Sequence, residues 1–195
     1  MATRNNALSE IARFWLQECH GLFLRESVPV KVKHGNSDID FIVTSPEESV
    51  TLLERIKFKH AIVETKDERD YDKLGTKFAE RLQKDYRLLQ GNRMISAETS
   101  CCFSMLKEQH HKQAEEIFGG NDFSKIFIFH SLNKTGLEDI LAELCAKSIH
   151  VVTSSEILSD IQIYFKNHRH SAGIRNSLVG DILDMLITYH KWGPT

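Results

Sequence analysis

Apolar positions recur at helical spacing near the start of the chain. Leu8, Ile11, Ala12, Trp15, Leu16 and Cys19 form one stripe, which predicts an amphipathic helix over roughly 7–20. Asn6 stands as its N-cap and Gly21 as its end. The period then changes. "LFLRESVPVKVK" reads as extended, with a bulge or an edge at Pro29. "HGNSD" is a turn, "IDFIV" the next strand. "SPEESVTLLERI" predicts a short helix with Pro46 near its first turn, and "HAIVETK" a third strand. A long helix follows over about 71–90, with Leu74, Phe78, Leu82, Tyr86 and Leu89 along one face. A second is predicted over about 97–118, with Phe103, Leu106, Ala114 and Ile117 as apolar positions, stopped by "GGND". "KIFIFHS" is a continuous apolar strand. "TGLEDILAELCAKS" is a helix with Leu137, Ile140, Leu141 and Leu144 inward. "IHVVT" is a short strand, and "SSEILSDIQIYFKN" a helix starting at a serine cap. The last helix, about 174–190, is apolar around much of its circumference and requires burial on two sides.

This order predicts an α/β fold with a central mixed sheet covered on both faces by helices. At 195 residues one domain is the expectation, and 41% hydrophobic with 27% charged residues is enough to build a core. The net charge of −2 excludes a global basic field, so any nucleic acid must be held by a local patch. Cys19, Cys101, Cys102 and Cys145 form no CxxC pair and no disulfide framework. With no apolar leader and no stretch of ~18 apolar residues, a soluble, cytoplasmic protein is expected.

The two strands "IDFIV" and "HAIVETK" carry acids where a strand core excludes charge. Side chains alternate along a strand. Asp38 and Asp40 are therefore expected on one face, with Ile39, Phe41 and Val43 on the other. Glu64 and Lys66 likewise share a face. If the strands are neighbours, Asp40, Glu64 and Lys66 converge. Two carboxylates with a nearby backbone carbonyl suit a hard cation such as Mg²⁺, which offsets their repulsion. The lysine can orient a water and stabilise charge developing on a phosphate.

Asp40 followed by Glu64-Thr65-Lys66 resembles the signature of the PD-(D/E)XK nuclease superfamily. The first motif reads "SDID", without a proline. The stretch "KIFIFHSLNKTGLEDILAELCAKSIHVVTSSEILSDI" is similar to the closing half of Mrr-type restriction endonucleases. The resemblance covers about 1–92 and 124–167. It marks about 93–123 as a helical insertion in a nuclease-like core and 168–195 as a C-terminal helical appendage. It implies a restriction-endonuclease-like fold and Mg²⁺ (or Mn²⁺) held by Asp40, Glu64 and the Thr65 carbonyl. It further implies a catalytic Lys66 and a glutamate from the first helix. Glu10 is the best match for that glutamate and Glu18 the alternative. "QKDY", Gln83 to Tyr86, is one residue shorter than the Gln-x-x-x-Tyr motif of RecB-like nucleases.

"HGNSDIDFIV" also resembles the acidic motif of minimal nucleotidyltransferases, but no Gly-Ser dipeptide precedes it to cradle a triphosphate. A catalytically decayed fold that only binds DNA is the non-enzymatic alternative. Lys73, Lys77, Arg81 and Lys84 line one helix face and could meet phosphates beside the site, or form a solvated face with Glu80. His110-His111 and Cys101-Cys102 show no zinc spacing, and the histidines are read as exposed. "HRH", His168 to His170, is read as a loop. The expected activity is Mg²⁺-dependent phosphodiester hydrolysis, in DNA first and with RNA open, through a metal-activated water. The resemblance implies a 5′-phosphate product. The apolar last helix is a candidate homodimer interface.

Overall fold

The structure is a computed structural model that describes residues 7–32, 37–66, 76–89, 95 and 103–167. Helix α1 (Ala7–Phe14) runs into a π-helical turn, Trp15–Cys19. Gly21, at φ +63, ends it: its N–H reaches the Gln17 carbonyl (2.9 Å) and the Leu22 N–H reaches Leu16 (3.1 Å), a nested pair each one residue wider than in a Schellman motif, in keeping with the π-helical turn. Strands β1 (Phe23–Val30), β2 (Ser37–Thr44) and β5 (His60–Lys66) follow. Between the last two stands a hairpin, β3 (Val50–Leu52) and β4 (Ile56–Phe58). Then come α2 (Thr76–Leu89), a short 3₁₀ turn at Ser104–Leu106, and α3 (Glu108–Phe118). The described chain closes with β6 (Ser124–Phe129), α4 (Glu138–Ala146), β7 (Ile149–Thr153) and α5 (Ser154–Asn167).

The main sheet has the order β1-β2-β5-β6-β7. The β1/β2 and β2/β5 pairs are antiparallel; β5/β6 and β6/β7 are parallel. The fold is thus mixed α/β. β6 and β7 are buried at every position, as strands covered on both faces must be. One apolar layer packs α2, α3 and α4 on Ile62, Phe127, Phe129 and Val151. The other packs α1, the hairpin and α5 on Val43, Val63, Ile128 and Val152. Each fully buried aliphatic side chain is worth about 1.5–3 kcal/mol. Trp15 Nε1 and His20 Nε2 both meet Asp160 Oδ2 (2.7 and 2.8 Å), clasping the first helix to α5.

Four expectations need correction. "SPEESVTLLERI" is not a helix. Val50, Leu52, Ile56 and Phe58 alternate with polar residues, and a three-residue connection with Leu53 and Glu54 at positive φ (+51 and +57) closes a hairpin, the Arg55 N–H donating to the Leu52 carbonyl (3.1 Å). The helix expected from about 97 begins only at Glu108; Phe103 is extended and Ser104–Leu106 is a 3₁₀ turn, while Ile95 bridges to Lys107. Phe103, Met105, Leu106 and Ala114 are buried in the α2–α4 layer, so this stretch contributes to the core. The cap of α5 is Thr153, not a serine: its N–H donates to Glu156 Oε2 (2.8 Å) and its Oγ1 accepts from the Glu156 N–H (3.4 Å), a capping box.

The fourth correction touches the acidic strand. Ile39 packs with Ile42 in the α3-side layer, not with Phe41 and Val43. On β1, Leu24 packs on the α1 side while Val28 and Val30 pack on the α3 side. Strict alternation therefore breaks in both strands at the same place. Ser27, at φ +50, lies across from Asp40 by register, and that is the one pair missing between Phe23↔Thr44 and Val30↔Ser37. β1 is the edge strand, where such an irregularity and Pro29 are both tolerated. The last predicted helix, about 174–190, and the loop at His168 to His170 lie outside the described residues.

Candidate active site

The β2–β5 ladder runs from Thr44↔His60 to Phe41↔Val63 and stops there. The next pair in register would be Asp40 opposite Glu64. The Asp40 side chain takes over: its Oδ2 accepts from the Thr65 N–H (2.6 Å) and the Thr65 hydroxyl (2.8 Å). Thr65 Oγ1 in turn meets Ser9 Oγ of α1 at 3.1 Å. Backbone groups alternate along a strand. The His130 N–H donates to the Lys66 carbonyl on the β6 side (3.1 Å), so the Thr65 N–H and carbonyl face the β2 edge, beside Asp40.

Glu64 is buried at 7% exposure. Its Oε1 accepts from the Ser104 N–H (3.1 Å) and its Oε2 from the Met105 N–H (3.0 Å). Lys66 Nζ pairs with Glu64 Oε1 and lies 5.7 Å from the centre of the Phe103 ring. Glu64 and Lys66 are thus brought together on the α3 side of the sheet, while Asp40 is anchored through Thr65 toward α1. The two acids still sense each other. Burial pushes the Asp40 carboxyl above the ordinary range; the Thr65 hydrogen bonds pull against this, and the Glu64 and Asp38 charges add to the rise.

In type, two carboxylates and a backbone carbonyl are oxygen donors of the kind a small hard cation takes. Four acceptor positions on each carboxylate are available in principle. Asp40 Oδ1 receives no bond from a described residue. Glu64 Oε1 is filled by Ser104 and Lys66, whereas Oε2 carries one bond and keeps one position. The Thr65 carbonyl is the third oxygen at the same edge. Among the described residues no group of three or more His, Cys, Asp or Glu side chains is placed to hold a metal.

Glu10 is not brought to this set. Its carboxylate pairs with Arg13 (2.5 Å), one turn on, because the neighbouring Ser9 is the residue that faces Thr65. Glu18 lies exposed in the π-helical turn. Of the basic stripe, Lys84 is exposed and Arg81 half-buried on α2; Lys73 and the Lys77 side chain lie outside the described residues, as do Cys101 and Cys102. His110 is buried at 1% exposure rather than solvent-facing, and its Nε2 meets Ser37 Oγ (2.9 Å) at the start of β2.

Several residues around the site had no place in the sequence reading. Ser104 and Met105 hold Glu64 through backbone N–H groups, which no residue type announces. Ser9 borders the apolar stripe of α1 without standing out. Lys125 was visible: it is a lone charge at the head of an all-buried central strand. It lies two residues from Phe127, the partner of Glu64, and therefore on the same face. Burial lowers its ammonium to about 8, with Glu115 and Glu64 opposing the shift. No protein-family model, no curated protein and no solved structure matches the chain.

Proposed function

We propose that the protein is a divalent-metal-dependent nuclease of restriction-endonuclease-like fold that hydrolyses phosphodiester bonds in DNA. The observation that carries this reading is the junction where the β2–β5 ladder ends. There Asp40 bonds the Thr65 amide from the α1 side and Glu64 pairs with Lys66 on the α3 side, and the Asp40 carboxyl is raised by burial first and by the Glu64 charge in addition. A bound Mg²⁺ or Mn²⁺ would supply an acidified water and charge stabilisation at the phosphate. Asp40 Oδ1, Glu64 Oε2 and the Thr65 carbonyl would hold it. The Ser104 and Met105 amides fix Glu64, and the Thr65 amide and hydroxyl fix Asp40, so neither carboxylate must be ordered when the cation arrives. Lys66 spends one of its three N–H donors on Glu64; the others are available to a water or a phosphate oxygen in line with the scissile bond.

The reading places the protein in the cytoplasm, and no described helix is long and apolar enough to cross a membrane. Dimerisation through the last helix, which would cut both strands, belongs to the same proposal.

The test is incubation with plasmid, linear duplex and single-stranded DNA under Mg²⁺, Mn²⁺ or EDTA. Cleavage with metal and none with EDTA is expected. Pyrophosphate release from a nucleoside triphosphate, with no nucleic acid cut, would replace this reading with nucleotidyl transfer.

A further inference from the structure

We infer that the groove between β1 and α3 binds the nucleic-acid strand flanking the scissile phosphate, an assignment that rests on the nuclease reading. The groove has a volume of about 320 Å³, within the range of binding clefts. Val28, Val30 and Ile117 line it with apolar surface, and Arg25, Lys31 and Gln113 line it with polar groups. No acid is among its lining residues. Arg25 and Lys31 are exposed, and neither makes an ion pair or side-chain hydrogen bond with a described residue. On a protein of net charge −2 this is a local reversal of sign.

The register sets the groove beside the site. Val28 pairs with Ile39, and Ser27 lies across from Asp40. Val28 and Val30 pack in the same layer as Phe103 and Met105, the segment that holds Glu64 and faces Lys66. A strand in the groove would therefore lead to the junction of Asp40 and Glu64.

The lining selects the ligand. Arg25 lies on β1 and Lys31 just beyond its end, six residues on, and both line the groove. Two cations on one groove suit a polyanion carrying more than one phosphate. A peptide adding to the β1 edge is disfavoured, because Pro29 lacks an N–H and Ser27 distorts the same strand. The apolar lining suits sugar and base surface, and the Gln113 amide offers both a donor and an acceptor to a base edge.

The experiment is fluorescence anisotropy with labelled single-stranded and duplex DNA oligonucleotides and a labelled polyglutamate, in EDTA, on the Asp40→Asn protein so that nothing is cut. The Arg25→Ala/Lys31→Ala double variant should bind DNA at least about tenfold more weakly. Its log–log salt slope should fall by about 1.4 on single strands, the loss of two phosphate contacts. A Lys57→Ala/Lys59→Ala control, two exposed lysines outside the groove, should bind as the parent. Equal affinity and slope for the groove variant, or polyglutamate bound as tightly as DNA, overturns the assignment. The two readings fail separately. Groove-dependent DNA binding by a protein that never cleaves leaves the groove standing and removes the hydrolysis; cleavage with unaltered binding by the groove variant does the reverse.

Discussion

Asp40 accepts two hydrogen bonds from Thr65 yet keeps a raised carboxyl, because burial and the Glu64 charge outweigh them. Its ionised form therefore costs the fold something that a cation would return. Asp40→Asn keeps an acceptor for Thr65 and removes the charge. Calorimetry should show Mg²⁺ or Mn²⁺ binding weakened by at least about tenfold, while the melting temperature stays level or rises. Unchanged metal affinity would detach Asp40 from the metal. His110 gives a second prediction. Burial, then Lys107 and Lys125, lower its imidazole from 6.5 to about 4. The unfolded chain takes up this proton first, so the stabilisation is complete above about pH 6.5 and is lost as pH falls toward 4, by roughly 3 kcal/mol at most. Denaturant titrations over that range should show a flatter profile for His110→Gln than for the parent; parallel profiles would contradict the burial account. At this scale Asp40, Glu64 and Lys66 were legible, since charge inside apolar strands is a signal in itself. Lys125 carries the same signal. Ser104 and Met105 were illegible, because what they contribute is main-chain N–H.

Elements were legible where one period dominated a long window: α1, β2, β5, β6, β7 and α5 stand where the pattern puts them. The pattern failed where two signals competed. At Pro46 the proline suggested a helix start and outweighed the alternation of Val50, Leu52, Ile56 and Phe58. The reversal of alternation at Ser27 and Asp40 could not be read either, since it depends on a positive φ in a serine. That strain is testable. Ser27→Gly should be neutral or stabilising by up to about 1 kcal/mol, and Ser27→Val should destabilise by about 1 kcal/mol or more. The reverse ranking in chemical denaturation would mean Ser27 is not held left-handed. At the other edge, Thr153→Ala should cost roughly 1 kcal/mol through loss of the α5 cap. A cost near zero would show that Glu156, which also meets Arg55 and Lys134, holds this end without Thr153.

Across the whole molecule, the sheet is filled on both faces and the two layers converge on the end of the β2–β5 ladder. α1 reaches it through Ser9 and Thr65; the segment before α3 reaches it through Glu64 and Lys66. The α/β class and the two-sided cover followed from the order of periods alone. That residues 103–118 wall the site did not, because their apolar positions fit a detached helix as well as a core segment. The most direct test of the account is plasmid cleavage in Mg²⁺ by the parent and by Lys66→Ala, measured side by side with metal binding. In the proposed reaction Lys66 holds no metal and its charge would count most as negative charge builds on the phosphate, so its loss would fall on the chemical step. The account predicts cleavage reduced by at least about a hundredfold, with metal affinity and melting temperature retained. Full cleavage by Lys66→Ala would show that the chemistry does not happen at this junction.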